Sequence, residues 1–377
     1  ALAGSGRQGA RAGDDEREAA ADHRAEVVGR DARIGKNTRE TRPASRPMDR
    51  LEALDAWLRS TLGPDGFALA PASADASFRR YFRVTAGGRT WIVMDAPPER
   101  EDCRPFLRVA ALMRGAGLHV PEVAAQDLAQ GFLLLSDLGT RTYLQAFDGT
   151  NEEALFRDAT RALVDWQAAS LDGELPPYDE ALLRRELMLF PEWFVGRHLG
   201  VTLEAAEREG LERVFARILA ANLAEPRVFV HRDFMPRNLM VSEPNPGVID
   251  FQDAVHGPIS YDVASLWRDA FVSWEEERVL DGTIRYWEAA RKRGLPVRAD
   301  FADFWRDVEW MGLQRHLKVL GIFARIHYRD GKPGYLEDTP RFLGYVRHAC
   351  ARYGELAPLA RLLDRLEGVK PAVGYTF

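Results

Sequence analysis

The stretch Val228-Phe-Val-His-Arg-Asp-Phe-Met-Pro-Arg-Asn-Leu-Met-Val241, with Gly247-Val-Ile-Asp-Phe-Gln-Asp253 after it, organises the rest of this 377-residue chain. Val228 to Val230 and Val248 to Ile249 are apolar, β-rich runs, and each ends in polar residues: His231 and Asp233 after the first, Asp250 after the second. Leu239 to Val241 reads as a short strand between them, and the Pro/Asn/Gly cluster from Glu243 to Gly247 as its turn. Asp233, Asn238 and Asp250 are thereby expected to converge on one cleft.

Those three residue types in that order fit phosphoryl transfer, which asks little covalent chemistry of a protein. It needs a carboxylate facing the nucleophile's proton and oxygen ligands that hold Mg2+ against the phosphates of ATP. His231-Arg-Asp233 followed by Asn238 fits the pattern H-R-D-x-x-x-x-N, and Asp250 stands where D-F-G carries its aspartate, here Asp-Phe-Gln. Asp233 is therefore the expected catalytic carboxylate, and Asn238 and Asp250 the expected metal ligands. Arg237 either stabilises phosphoryl charge or pairs with Asp233. Gln252 and Asp253 follow Asp250 directly and are candidates for the acceptor substrate.

The set His231, Asp233, Asn238, Ile249-Asp250, Gly257-Pro258 and Tyr261-Asp262 resembles the aminoglycoside phosphotransferase and choline kinase superfamily. Ala76-Ser-Phe-Arg-Arg-Tyr-Phe-Arg83 and Asp250-Phe-Gln-Asp-Ala-Val-His-Gly-Pro258 are similar, more narrowly, to the anomeric N-acetylmuramate/N-acetylglucosamine kinases of cell-wall recycling. The resemblance covers Met48 to the C-terminus. It implies an α+β, two-lobed protein-kinase-like fold with a small antiparallel-sheet N-lobe over residues 48–138 and a mainly helical C-lobe over 139–377. It also implies phosphorylation of an amino sugar at carbon 1, and an Asp262 that orients the catalytic loop. His231 has a supporting role by default, fixing the loop through hydrogen bonds. Two rival readings are a kinase of an aminoglycoside, choline or another small alcohol, and a nucleotide-binding pseudokinase.

Toward the N-terminus, residues 1–47 are rich in Arg, Ala, Gly, Asp and Glu and have no aromatic residue, so a disordered extension is expected. Three β-like runs then surround Ser73-Ala-Asp-Ala-Ser77, expected to cover the phosphates with Ser77. The run Trp91-Ile-Val-Met-Asp95 corresponds to V-A-I-K yet holds no lysine. Arg79, Arg80 and Arg83 are the nearest cations; Arg80 is taken as the nucleotide contact, and alternation puts it opposite Arg79 and Arg83. Ser136-Asp-Leu-Gly139 is the expected hinge, its backbone holding adenine around Ser136 and Leu138.

Beyond it the pattern is helical: Glu152 to Ser170, Tyr178 to Leu199, Leu203 to Ala221, Tyr261 to Phe271, Trp274 to Gly294, Asp300 to Tyr328 and Arg341 to Leu366. Glu192, beside Trp193 on a segment that Pro191 invites to kink, is a further substrate candidate. A formal charge of −6 provides no basic field for nucleic acid or anionic membrane, and no apolar run is long enough to cross a bilayer. Two cysteines, Cys103 and Cys350, build no disulfide framework, so a cytoplasmic setting is expected. The expected partner is a small amino sugar, and the sequence leaves oligomeric state open.

Overall fold

A computed structural model describes residues 49–63, 66–73 and 79–369. The expected extension before Met48 and the loop carrying Ser77 lie outside the described residues.

Helix α1 (Arg50–Leu62) precedes an antiparallel sheet of β1 (Ala68–Ser73), β2 (Arg80–Ala86), β3 (Arg89–Asp95), β4 (Val123–Asp127) and β5 (Phe132–Ser136), in the order β1-β2-β3-β5-β4. Gly87 and Gly88 both have positive φ, which closes the β2-β3 hairpin at no Cβ cost. Period-2 alternation splits the sheet into two covered faces. Val84, Val93, Phe132 and Leu134 pack under Leu54 and Leu58 of α1, while Met94, Leu133 and Leu135 join Phe106, Val109 and Met113 of α2 (Arg104–Gly115) in the main core. Burial on both faces explains why β5 reads as the continuous run Phe-Leu-Leu-Leu.

The rest is helical: α3 (Tyr143–Ala146), α4 (Glu152–Ala168), α5 (Glu180–Leu189), α6 (Ala205–Leu223), α7 (Tyr261–Trp267), α8 (Glu276–Arg293), α9 (Phe301–Asp330), α10 (Thr339–Arg352) and α11 (Ala357–Leu366). The arrangement is the α+β, two-lobed one anticipated. The 30-residue α9, roughly 45 Å long, is the axis against which α5, α6, α7 and α10 pack. Gly321 permits a close approach of α5, since a Cβ there would meet the Leu189 carbonyl carbon at 2.3 Å.

Three helices differ from their expected extents, and the one expected over Tyr261 to Phe271 ends as α7 at Trp267. Tyr178 to Leu199 is α5 followed by a looser π-type winding over Phe190–His198; Pro191 has no N–H for the tighter ladder, and the Leu199 N–H reaches back to the Phe194 carbonyl at 3.0 Å. Arg341 to Leu366 is broken into α10 and α11 at Gly354 and Pro358.

Two short ladders frame the polar stretch. β6 (Arg227–Val230) pairs with β9 (Val255–Pro258), and β7 (Leu239–Met240) with β8 (Gly247–Val248). The His231 to Asn238 loop leaves β6 and enters β7, and Asp250 follows β8, so both polar ends emerge on one side.

Candidate active site

The loop after β6 is held from its backbone. Arg232 adopts φ 78°, unusual for a residue with a Cβ, and the N–H groups of His231 and Arg232 donate to the two oxygens of Asp262 at 2.6 and 3.0 Å. Asp262, in the first turn of α7, is fully buried, and that burial pushes its carboxyl up to about 7 despite the two donors. Nε2 of His231 lies 3.1 Å from the Ile249 carbonyl, and Nδ1 accepts the Asp233 N–H at 3.2 Å. Burial lowers this imidazole to about 4, so it is a neutral ring with its proton on Nε2. It links the loop to the segment after β8 that carries Asp250.

This support brings Asp233, Asn238 and Asp250 together. The Asn238 Nδ2 donates to the Asp233 carbonyl at 2.9 Å and lies 3.4 Å from Asp250 Oδ2. Asp250 itself has φ 63°. With its N–H groups used on those acceptors, Asn238 presents Oδ1 as an oxygen donor beside the Asp250 carboxylate, a hard-oxygen set suited to Mg2+. The half-buried Asp233 carboxylate has no hydrogen-bond or ion-pair partner among the described residues.

Arg232 turns the other way. Its guanidinium pairs with Glu186 of α5, which also meets Lys318 of α9 at 2.9 Å and the Tyr178 hydroxyl. Glu186 and Lys318 are both buried. Desolvation, the largest single influence, pushes the Glu186 carboxyl up, but Lys318, Arg232 and the Tyr178 hydroxyl together hold it below its ordinary value. Sequence reasoning missed this pair, although Glu186 sits on the buried stripe of Leu183 and Leu187, where a lone charge signals a partner.

A cleft of about 450 Å³ runs from Asn238 and Asp250 to Ser136 and Leu138, passing Tyr81, Arg83 and Ile92. The Ser136 Oγ accepts the Glu122 N–H at 2.8 Å, and Leu138 is 8% exposed. Arg80 corrects its expectation. Its guanidinium is on the buried Asp95, which it shares with Arg50 of α1 at 2.6 Å, and it lies on the α1 face with Phe82 and Val84. Arg83 faces the cleft instead, bound to Asp137 at 2.6 Å and to the Gly139 carbonyl at 2.8 Å.

Arg237 also lines the cleft, its guanidinium 4.9 Å over the Phe271 ring and without a carboxylate partner among the described residues; the alternative pairing with Asp233 does not occur. Gln252 donates to Asp250 Oδ1 at 2.9 Å and lies 3.4 Å from the exposed Asp253. Glu192 is exposed and outside the residues that line the cleft. A larger groove of about 980 Å³ between α4 and α8 contains none of the loop residues, and its Arg285 and Arg293 face Glu153 and Asp165.

A family model described as the phosphotransferase enzyme family matches residues 68–301. The N-acetylmuramate/N-acetylglucosamine kinase of Pseudomonas aeruginosa is 55% identical over 328 residues, 84% of this chain and 97% of that one. Among solved structures, a choline kinase from Streptococcus pneumoniae superposes with TM-score 0.58 at 13% identity, covering 80% of this chain and 99% of its own. An ADP-bound aminoglycoside phosphotransferase gives 0.53 at 15% identity, covering 81% and 99%.

Proposed function

The chain belongs to the phosphotransferase enzyme family, and we propose that it transfers the γ-phosphoryl group of ATP to the anomeric hydroxyl of N-acetylmuramate and N-acetylglucosamine, giving sugar 1-phosphates in peptidoglycan recycling. The lobes are divided at residues 138 and 139, with the nucleotide between them. The observation that carries this reading is the Asn238 amide set between the Asp233 carbonyl and the Asp250 carboxylate at the end of the cleft.

Asp233 accepts the hydrogen bond of the acceptor hydroxyl, aims its oxygen and takes its proton. A hemiacetal hydroxyl is more acidic than an ordinary alcohol, so it asks less help in losing its proton than an ordinary alcohol would. Asn238 Oδ1 and Asp250 hold magnesium, which when bound neutralises phosphate oxygens. Arg237, its guanidinium over the Phe271 ring, meets charge on the transferring group. The backbone around Ser136 and Leu138 holds adenine, and Gln252 and Asp253 hydrogen-bond ring hydroxyls or the acetamido group of the sugar.

The sugar assignment is supported by the names of relatives that are 49 to 55% identical over nearly their whole length. Aminoglycoside and choline kinases share the fold at 13 to 15% identity, which supports no acceptor. No helix among the described residues is long and apolar enough to cross a membrane, and a cytoplasmic site of action belongs to the same proposal. Phosphorus NMR of the product from ATP, magnesium and each sugar should show a 1-phosphate. A 6-phosphate, or turnover confined to aminoglycosides or choline, would refute the acceptor assignment.

A further inference from the structure

Polyphosphate in a kinase cleft needs a cation, and in protein kinases a β3 lysine paired with an acidic residue supplies it. Here the sequence has no lysine between Lys36 and Lys292. The corresponding part of β3 holds Met94, 1% exposed and part of the core. The neighbouring strand, β2, carries arginines on both of its faces.

The register of β2 against β3 shows which face meets the cleft. Tyr81 stands opposite Met94, Arg83 opposite Ile92 and Arg80 opposite Asp95, and directly opposed residues share a face. Tyr81, Arg83 and Ile92 line the cleft. Arg79, one residue before β2, continues the alternation onto that face, one diagonal step from Met94 and beside the residues that line the cleft.

Arg83 is engaged at the hinge end by Asp137 and the Gly139 carbonyl. Arg79 stands about 13 Å away along the strand, where burial opposes its charge and Tyr81, Glu101 and, more weakly, Asp253 favour it. Its side chain is 13% exposed and pairs with Glu101, 15% exposed, at 3.1 Å. Glu101 lies just before α2, on the segment that closes this end of the sheet.

We infer that Arg79, held by Glu101, is the residue that grips the polyphosphate of the bound nucleotide, in the place that a β3 lysine and its acidic partner take elsewhere. A guanidinium suits the task, since it meets two phosphate oxygens at once and keeps its proton at any working pH. The inference rests on the reading of the chain as an ATP-dependent kinase.

Calorimetric titration of the full chain with ATP plus magnesium, and separately with adenosine, tests it. Arg79→Ala should weaken ATP by about 10- to 100-fold while adenosine binds within about twofold of the parent, because adenosine carries no phosphate. Arg79→Lys should recover part of the ATP affinity, and Glu101→Gln should show a smaller loss. Unchanged ATP affinity in Arg79→Ala, or equal losses for ATP and adenosine, would overturn the assignment. A parent protein that binds no ATP would overturn the kinase reading and this inference with it, so the two failures are told apart.

Discussion

The side-chain amide of Asn238 donates to the main-chain carbonyl of Asp233 at 2.9 Å. The loop that aims the Asp233 carboxylate and the side chain proposed to hold magnesium therefore move as one piece. Asn238→Ala should lower stability by about 1 kcal/mol, the net worth of one such bond, and raise the magnesium concentration needed for half-maximal turnover at least several-fold. Urea unfolding and a magnesium titration read the two effects separately; an unaltered magnesium requirement would remove Asn238 from the metal site.

Asp233 and Asp250 should fail differently. Asp233→Asn keeps the nucleotide end of the cleft intact, so turnover should fall by roughly 10²- to 10⁴-fold with ATP affinity close to the parent's. Asp250→Asn removes a metal-facing charge, so its ATP affinity should become weak and nearly independent of magnesium. Calorimetry with and without magnesium separates them, and loss of ATP binding in Asp233→Asn alone would reverse the two roles.

His231 makes stability sensitive to acid. An unfolded imidazole takes up its proton near pH 6.5, whereas the buried ring resists until about 4. The unfolded chain thus binds more protons in that window, and this residue's contribution is full above 6.5 and is lost as pH falls toward 4, by about 3 kcal/mol at most. Asp262, raised to about 7 from 3.8, acts in the opposite sense, its contribution full below about 4 and lost as pH rises through 7. The difference between parent and His231→Gln isolates the imidazole. From pH 7 to pH 5 the parent's urea midpoint should fall relative to the variant's; parallel changes would mean that the ring is not held neutral.

Two glycines in long helices should respond oppositely to alanine. At Gly321 a Cβ would stand 2.3 to 2.5 Å from atoms of Leu189, including backbone, so the α9 contact must open at a cost of about 1 to 3 kcal/mol or more. At Gly344 of α10 nothing lies within 4 Å, and alanine should stabilise by roughly 0.5 to 1 kcal/mol through helix propensity. Urea unfolding of both variants would show similar shifts if the packing around α9 were loose.

The constellation of Asp233, Asn238 and Asp250 was legible because its parts lie close in sequence and each is delivered by a short apolar run. The sheet was legible for a similar reason, since β2, β3 and β5 carry alternation or continuous burial. The arginines were harder. Alternation separated Arg80 from its neighbours, but which face met the cleft depended on Arg50 and Asp95 claiming one side and on Asp137, 54 residues beyond Arg83, claiming the other. Glu186 and Lys318 meet across a still longer interval, from α5 to α9, and no local pattern joins them. The π-type winding after Leu189 was foreshadowed by Pro191, whereas its extent was set by packing on α9.

Met94 on β3 has a practical corollary for chemical surveys of nucleotide-binding enzymes. Reagents that deliver an acyl group from a nucleotide tail report a kinase through the amine beside its phosphates. In this protein that place is a thioether in a dry core, and Lys318, the lysine of the helical lobe tied to Glu186, is buried. Amine acylation at that β3 place would not report this enzyme, and a guanidine-directed warhead is the chemistry suited to the arginines of β2.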